Sequence, residues 1–136
     1  MLSQAAHACR PNVNKQRLTH NGARSTFTMA THMPRLVIIR HGVTEWSKSG
    51  SHTGRTDLPL LPEGAMEAKM FGTRLVGLSP DDVVRLQNVG RIIRSPRQRC
   101  AHTLDYVLGM EEDRKRIGLP DVEVCDDVRE WDYGGS

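Results

Sequence analysis

The chain has 136 residues, of which 38% are apolar and 26% charged, a size that allows one ordinary domain with a modest core and excludes two. Its longest aliphatic run has four residues, far fewer than a membrane-spanning helix needs, so we expect no membrane partner. The net charge of +3 arises from six basic residues and no acid within residues 1–40, and the other 13 basic and 16 acidic residues sum to −3, which argues against a nucleic-acid partner.

Residues 1–33 lack acids and any apolar periodicity, and they are rich in Ser, Thr, Asn, Ala and Arg. This composition predicts a disordered extension ahead of a folded domain over residues 34–136. It is also typical of a mitochondrial presequence. The weak amphipathic spacing favours instead an extension without a function, with Met29 or Met33 as the natural start. We therefore expect a cytoplasmic protein, with the mitochondrion as the alternative location.

The folded part begins with four consecutive aliphatic residues at 36–39, a pattern typical of a parallel strand buried on both faces. A polar loop rich in Gly and Pro follows, as far as Pro62. Residues 63–77 then show helical periodicity, despite a glycine in their interior. The predicted apolar face of this helix contains Ala65, Met66, Ala68, Met70, Phe71, Leu75 and Val76.

A second strand is predicted at residues 91–94, where Ser95 is a natural N-cap and Pro96 suits the first position of a helix. The apolar stripe of that helix consists of Cys100, Ala101, Leu104, Val107 and Leu108. The charge run EEDRKR at residues 111–116 indicates a solvated face. A third strand is predicted at residues 122–124.

Strands that alternate with helices predict an α/β fold with a mainly parallel sheet. In such sheets the ligand site lies outside the carboxyl ends of the strands. Each predicted strand is followed at that edge by charged or polar residues, which are Arg40, His41, Ser95, Arg97, Arg99, Arg129 and Glu130. The sequence therefore predicts one site at which three strand ends converge.

Arginines beside a histidine suit a phosphate group, because each planar guanidinium can hold two phosphate oxygens. A neutral imidazole can attack phosphorus when a backbone carbonyl fixes the hydrogen on its other nitrogen. Glu130 is placed to protonate the leaving oxygen, and this chemistry needs neither a metal nor a cofactor. Taken singly, each residue also has an ordinary explanation as a loop or surface side chain. The cysteines form no metal-ligand or disulfide pattern, so we expect Cys100 and Cys125 to be free buried thiols.

Four motifs in this order resemble the histidine phosphatase superfamily, the phosphoglycerate mutase-like proteins. They are RHGVTEW at residues 40–46, HTGRTDLPL at 52–60, SPRQRCAHTL at 95–104 and REWDYG at 129–134. The segments EWSKSG, HTGRTDLPL and REWDYG are similar in particular to the branch that contains sedoheptulose bisphosphatase. The resemblance implies a three-layer α/β/α fold with a mainly parallel sheet. It also implies a small phosphorylated metabolite as the binding partner and catalysis without a cofactor or metal.

The resemblance also implies roles for individual residues. His41 would be the phosphorylated nucleophile and Glu130 the proton donor. The implied substrate-binding residues are Arg40, Arg99, Ser47, Thr53 and Gly54, where the two arginines grip the phosphate and Ser47 replaces an asparagine that is common in relatives. Cys100 replaces a usual alanine. Leu61 replaces a usual Thr or Ser at a helix N-cap, a loss that costs about 1 kcal/mol.

One departure from the family concerns a second histidine in a late His-Gly motif, since no histidine follows His102 in this chain. We therefore expect the chain to be a truncated, N-terminal part of the domain, inactive by itself. The leading hypothesis is a metal-independent phosphatase that hydrolyses a phosphorylated sugar through a phosphohistidine. The alternatives are phosphoryl transfer of the phosphoglycerate mutase type and a non-catalytic fragment.

Overall fold

The computed structural model describes residues 33–51 and 56–130, and the chain divides into two units, residues 1–38 and 39–136. The expected disorder of residues 1–33 falls almost wholly outside the described residues. All helices and strands described here belong to the second unit. In chain order they are α1 (Glu45–Ser49), α2 (Pro62–Leu75), β1 (Val76–Gly77), β2 (Val84–Arg85), β3 (Ile92–Arg94), α3 (Gln98–Leu108), α4 (Glu111–Arg116) and β4 (Val122–Val124).

The strands pair in parallel, as predicted. β3 pairs with β4 in the register Ile92 to Val122 and Arg94 to Val124, which confirms the second and third predicted strands. β1 pairs with β2, and this pair of two-residue strands was not predicted. In the part of the chain that the structure describes, the strands form two separate two-stranded sheets. The apolar residues buried in this fold are Ala68, Ile92, Val107, Leu119 and Cys125.

The prediction of a buried first strand at residues 36–39 is wrong. These residues form no strand, and the exposed fractions of Leu36 and Ile38 are 85% and 83%. A strand needs a neighbour whose backbone groups complete its hydrogen bonds, and none of the described residues forms a ladder with this segment. Four consecutive aliphatic residues are therefore not sufficient to form a strand when no neighbouring strand is present.

The predicted apolar face of the first long helix is also partly wrong. Helix α2 buries Gly64, Ala68 and Gly72, which recur at intervals of four residues, whereas Met66 and Met70 are 60% and 45% exposed. A Cβ added at Gly72 would lie 2.7 Å from the carbonyl oxygen of Val107. Small residues therefore let the backbones of α2 and α3 approach closely, which explains the glycine inside this helix.

The first turn of α2 contacts the segment that follows residue 41 just as closely. A Cβ added at Gly64 would lie 2.4 Å from both the nitrogen and the oxygen of Val43, and one added at Gly42 would lie 2.5 Å from the oxygen of Gly64. The amide of Leu61 donates to the carbonyl of Val43 at 2.9 Å. Leu61 is the N-cap of α2 and offers no side-chain cap, as expected, so backbone contacts hold this end of the helix.

We predict that Gly64→Ala lowers the free energy of unfolding by roughly 1–3 kcal/mol, the usual cost of overpacking. Alanine is a better helix former than glycine by about 1 kcal/mol. A loss of stability in Gly64→Ala would therefore come from the contact with Val43. Gly90→Ala is the matched control, because a Cβ there meets no atom within 4 Å. Urea titration of both variants measures the difference. A Gly64→Ala variant as stable as Gly90→Ala would contradict this packing.

Helix α3 begins two residues later than it would if Ser95 were its N-cap. Its N-cap is Arg97, and that side chain makes no capping hydrogen bond. Ser95 is buried, and its contact with the amide of Arg97 is long, at 3.5 Å. The prediction of a Ser95 cap is therefore wrong, and the first free amide of the helix finds its partner elsewhere in the chain.

The charge run at residues 111–116 forms α4, and its interpretation as a solvated face needs correction. Arg114 is only 7% exposed. Its guanidinium donates to Asp105 at 2.8 Å and to the carbonyl oxygen of Gly109. These bonds satisfy the charge and fasten α4 to the end of α3. Of the helices described, none combines the length and the apolar character that crossing a membrane requires.

Candidate active site

The geometry around His41 fixes the chemical form of its ring. Nδ1 lies 2.8 Å from the carbonyl oxygen of Gly42, and a carbonyl only accepts hydrogen bonds, so Nδ1 holds the hydrogen of the neutral ring. Nε2 is then left with a free lone pair. The side chain is 13% exposed, so the ring is mostly shielded from water.

Glu130 lies on the open side of that nitrogen. Its Oε2 atom is 4.0 Å from Nε2 of His41 and accepts a hydrogen bond of 2.8 Å from Nη2 of Arg99. The Arg99 side chain is 1% exposed, whereas that of Glu130 is 34% exposed. The side chains of His41, Arg99 and Glu130, which were expected at three strand ends, therefore lie close together.

Arg99 is a buried charge that the fold satisfies from several sides. Besides Glu130, its Nη1 atom donates to the carbonyl oxygen of Thr56 at 3.1 Å. A buried guanidinium needs such partners, because removing its charge from water costs several kcal/mol. Helix α3 presents this residue from its first turn, and the bond to Thr56 fixes the plane of the guanidinium.

A cavity of about 110 Å³ lies between these groups and α1. It is lined by Arg40, His41, Thr44, Ser47, Gly50, Ser51 and Glu130. The Arg40 side chain is exposed and lines the same cavity as the free lone pair of His41. The cavity therefore combines a guanidinium, an imidazole and a carboxylate.

Ser47 lines this cavity, but its hydroxyl is already engaged. It donates to the carbonyl of Thr44 at 2.9 Å and accepts from the amide of Thr44 at 2.7 Å. The bond from the Thr44 amide belongs to a capping box that starts α1. Ser47 must release the Thr44 carbonyl before its hydroxyl can donate to a phosphate. Thr53 and Gly54, the other predicted substrate-binding residues, lie outside the described residues.

Sequence reasoning missed Thr103, which joins the two sides of the site. Its hydroxyl accepts from the amide of Gly42 at 3.1 Å and donates to the carbonyl of Arg99 at 2.7 Å. The side chain is buried. The available signal was that Thr103 is a polar residue beside the apolar stripe of the predicted helix. No sequence pattern identifies Gly42, 61 residues away, as its hydrogen-bond partner.

Cys100 and Cys125 are free, as expected, and Cys125 is buried. Cys100 is only half-buried, so the prediction of a buried thiol is wrong for this residue. Burial raises the pKa of the Cys100 thiol, an effect that a hydrogen bond with Ser95 and the charge of Arg99 partly oppose. Cys100 is therefore a poor thiolate nucleophile at neutral pH. Within residues 33–51 and 56–130, no group of three His, Cys, Asp or Glu side chains is arranged to hold a metal ion.

The family model of the histidine phosphatase superfamily (branch 1) matches residues 36–136. The chain belongs to the histidine phosphatase superfamily. Its α/β fold with parallel strands is accordingly that of the phosphoglycerate mutase-like proteins, as the motifs predicted.

Three relatives illustrate the range of activities within this superfamily. Sedoheptulose 1,7-bisphosphatase of Saccharomyces cerevisiae is 46% identical over 101 residues, which are 74% of this chain and 36% of the relative. An acid phosphatase of Mycobacterium tuberculosis is 39% identical over 100 residues, 74% of this chain and 41% of the relative. The 2,3-bisphosphoglycerate-dependent phosphoglycerate mutase of Treponema denticola is 36% identical over 101 residues, 74% of this chain and 36% of the relative. The chain thus spans about two fifths of the length of these histidine phosphatases.

Proposed function

We propose that this chain forms the phosphoryl-accepting part of a metal-independent histidine phosphatase, and that His41 is the residue phosphorylated. The observation that supports this most directly is the hydrogen bond from Nδ1 of His41 to the Gly42 carbonyl. In the neutral ring this bond leaves the lone pair of Nε2 free, 4.0 Å from Oε2 of Glu130. Because an imidazole attacks through a free lone pair, this tautomer is the one that phosphoryl transfer requires.

In the proposed first step, Nε2 of His41 attacks phosphorus and the bond between phosphorus and the ester oxygen breaks. Glu130 in its acid form gives a proton to that oxygen, so the alcohol leaves uncharged. Arg40 and Arg99 stabilise the charge on the oxygens of the phosphoryl group as it is transferred. In the second step, water attacks phosphorus, the bond to Nε2 breaks, and the Glu130 carboxylate recovers its proton from the water.

This sequence of steps requires Glu130 to move when a substrate enters. An attacking atom stands about 3–3.5 Å from phosphorus, and a catalytic acid about 2.6–3.2 Å from the oxygen it protonates. The nucleophile and the leaving oxygen lie in line on opposite sides of phosphorus. The distance of 4.0 Å between His41 and Glu130 is therefore too short for a phosphoryl group between them. Glu130 has to release Arg99 to the substrate and withdraw.

The substrate class that we propose is a phosphate ester of a sugar. Its support is the 46% identity with the yeast sedoheptulose 1,7-bisphosphatase, together with a cavity in which hydroxyl groups of Thr44, Ser47 and Ser51 accompany the charges. We propose a cytoplasmic location and a small phosphorylated metabolite as the partner. Because the chain spans 36% of the yeast relative, we propose that it is inactive by itself and that it accepts the phosphoryl group as part of a longer histidine phosphatase domain, in which the labelling experiments are carried out.

The second candidate function is a phosphoglycerate mutase-type transfer, which the 36% identity with the Treponema enzyme favours. Both functions share the first step. They differ in whether water or a second substrate alcohol takes the phosphoryl group from the histidine.

The experiment that separates the two functions follows the phosphoryl group in a single turnover. We expect sedoheptulose 1,7-bisphosphate to phosphorylate the chain through an acid-labile bond, and the label to appear as inorganic phosphate even when 3-phosphoglycerate is added. Recovery of the label on the added 3-phosphoglycerate would establish the mutase instead. A chain that acquires no label would favour the non-catalytic alternative.

A further inference from the structure

Helix α3 has eleven residues and no cap of its own, although it presents the buried Arg99 from its first turn. The amides of a first helical turn have no partner within the helix and must be satisfied from outside. An uncapped turn frays, and fraying here would displace the arginine that contacts Glu130. The fold therefore needs a group from another part of the chain at this position.

That group is Asp57. Its carboxylate accepts a hydrogen bond from the amide of Gln98, the first residue of α3, with distances of 2.9 Å to Oδ1 and 3.2 Å to Oδ2. The side-chain amide of Gln98 donates in return to the carbonyl oxygen of Asp57. These reciprocal bonds join residues that are 41 positions apart in the sequence and resemble a capping box built from two chain segments.

The residue before Asp57 acts on the same helical turn. The carbonyl of Thr56 accepts from Nη1 of Arg99, whose Nη2 atom is bonded to Glu130. Two consecutive residues of one loop thus fix the backbone at Gln98 and the guanidinium of Arg99. A carboxylate at a helix N-terminus is also favoured by the positive end of the helix dipole.

We propose that Asp57 is a positioning residue, which holds the first turn of α3 so that Arg99 meets the phosphoryl group in the correct orientation. This role rests on the proposed function, because Arg99 is the group through which Asp57 acts. Asp57 itself touches neither His41 nor Glu130 by any hydrogen bond among the described residues.

The proposal predicts that removing the Asp57 side chain changes phosphate affinity in the direction opposite to that expected from its charge alone. Removing a negative charge near an anion site strengthens anion binding if the charge acts only through space. Removing a cap that orders Arg99 weakens anion binding instead. The sign of the change in phosphate affinity therefore distinguishes positioning from a plain charge effect.

The test measures the Kd of inorganic phosphate by titration calorimetry for the chain and its variants. We expect Asp57→Ala to weaken binding about fivefold, the factor that corresponds to the loss of a helix cap. Asp57→Asn should restore affinity to within about twofold of the unmodified chain, because asparagine caps helices as well as aspartate does. Glu67→Ala is the control, since it removes the same charge from an exposed position on α2.

Each outcome of the phosphate titration supports or contradicts the positioning role of Asp57. Weaker binding in Asp57→Ala alone, with rescue in Asp57→Asn, supports the positioning role. Equal or tighter binding in Asp57→Ala overturns that role while the proposed function stands. An unmodified chain that binds no phosphate contradicts the proposed function itself, and the role of Asp57 fails with it.

A second variant guards against an Asp57→Ala chain that does not fold. Gln98→Ala removes only the return bond to the Asp57 carbonyl and leaves the charge of Asp57 in place. We expect about twofold weaker phosphate binding and faster hydrogen exchange of the backbone amide at residue 98. Unchanged affinity together with unchanged exchange would overturn the proposal.

Discussion

His41→Ala is expected to abolish phosphorylation of the chain, with a rate of label incorporation at least about a thousandfold below that of the unmodified chain. The physical reason is that, among the residues that line the cavity, His41 has the only side-chain nitrogen with an available lone pair, because its other ring nitrogen is bonded to the Gly42 carbonyl. Alanine offers no atom to form a bond with phosphorus. Quench-flow with a radiolabelled sugar bisphosphate, followed by acid treatment, measures both the rate and the linkage.

The matched control for this prediction is His102→Ala. His102 is also a histidine of the second unit, but it is exposed on α3 and lies outside the lining of the cavity. We expect its replacement to leave labelling unchanged. Label that persists in His41→Ala and disappears in His102→Ala would show that the nucleophile has been assigned to the wrong residue.

Glu130→Gln is expected to produce two opposite effects. Labelling by a sugar phosphate should slow by about 10²–10⁴-fold, the usual contribution of a general acid, because glutamine has no proton to give to the leaving oxygen. Binding of inorganic phosphate should become tighter. In this structure the Glu130 carboxylate is bonded to Arg99 at 2.8 Å, so an anion that binds Arg99 must displace it. A neutral glutamine amide is easier to displace than a carboxylate.

A second substrate makes the test of Glu130 specific to proton donation. Dinitrophenyl phosphate has a leaving group that is stable as an anion, so its reaction with the chain should be nearly insensitive to Glu130→Gln. The control is Glu123→Gln, because Glu123 also pairs with an arginine, Arg91, but on the exposed surface. Equal slowing with both substrates, or weaker phosphate binding, would contradict the assignment of Glu130 as the acid.

Much of the fold was predictable where local patterns decide it. Residues 92–94 and 122–124 form strands because short runs rich in β-branched residues lie between turn signals. Arg99 and Glu130 lie at one edge because they follow β3 and β4, whose carboxyl ends meet there. His41 lies beside them although the residues before it form no strand in this structure, so the rule about strand ends does not account for its position.

The features of the fold and the site that the sequence did not predict depend on contacts between distant segments. Ser95 had the local signature of an N-cap, but the carboxylate of Asp57 accepts from the first amide of α3 instead, and no sequence pattern links residues 41 positions apart. The close approach of Gly64 to Val43 likewise reverses the usual preference for large apolar residues on a buried helix face. These features arise from backbone geometry, which hydrophobic periodicity does not record.

The hydroxyl of Thr103 has a consequence for the motions of the molecule. One oxygen atom is bonded both to the amide beside the nucleophile and to the carbonyl of Arg99. The amide of Gly42 and the carbonyl of Arg99 are thus linked through a single buried oxygen atom, so a displacement of either segment acts on the other. We expect the distance between the imidazole of His41 and the guanidinium of Arg99 to vary less than it would if the two segments moved independently.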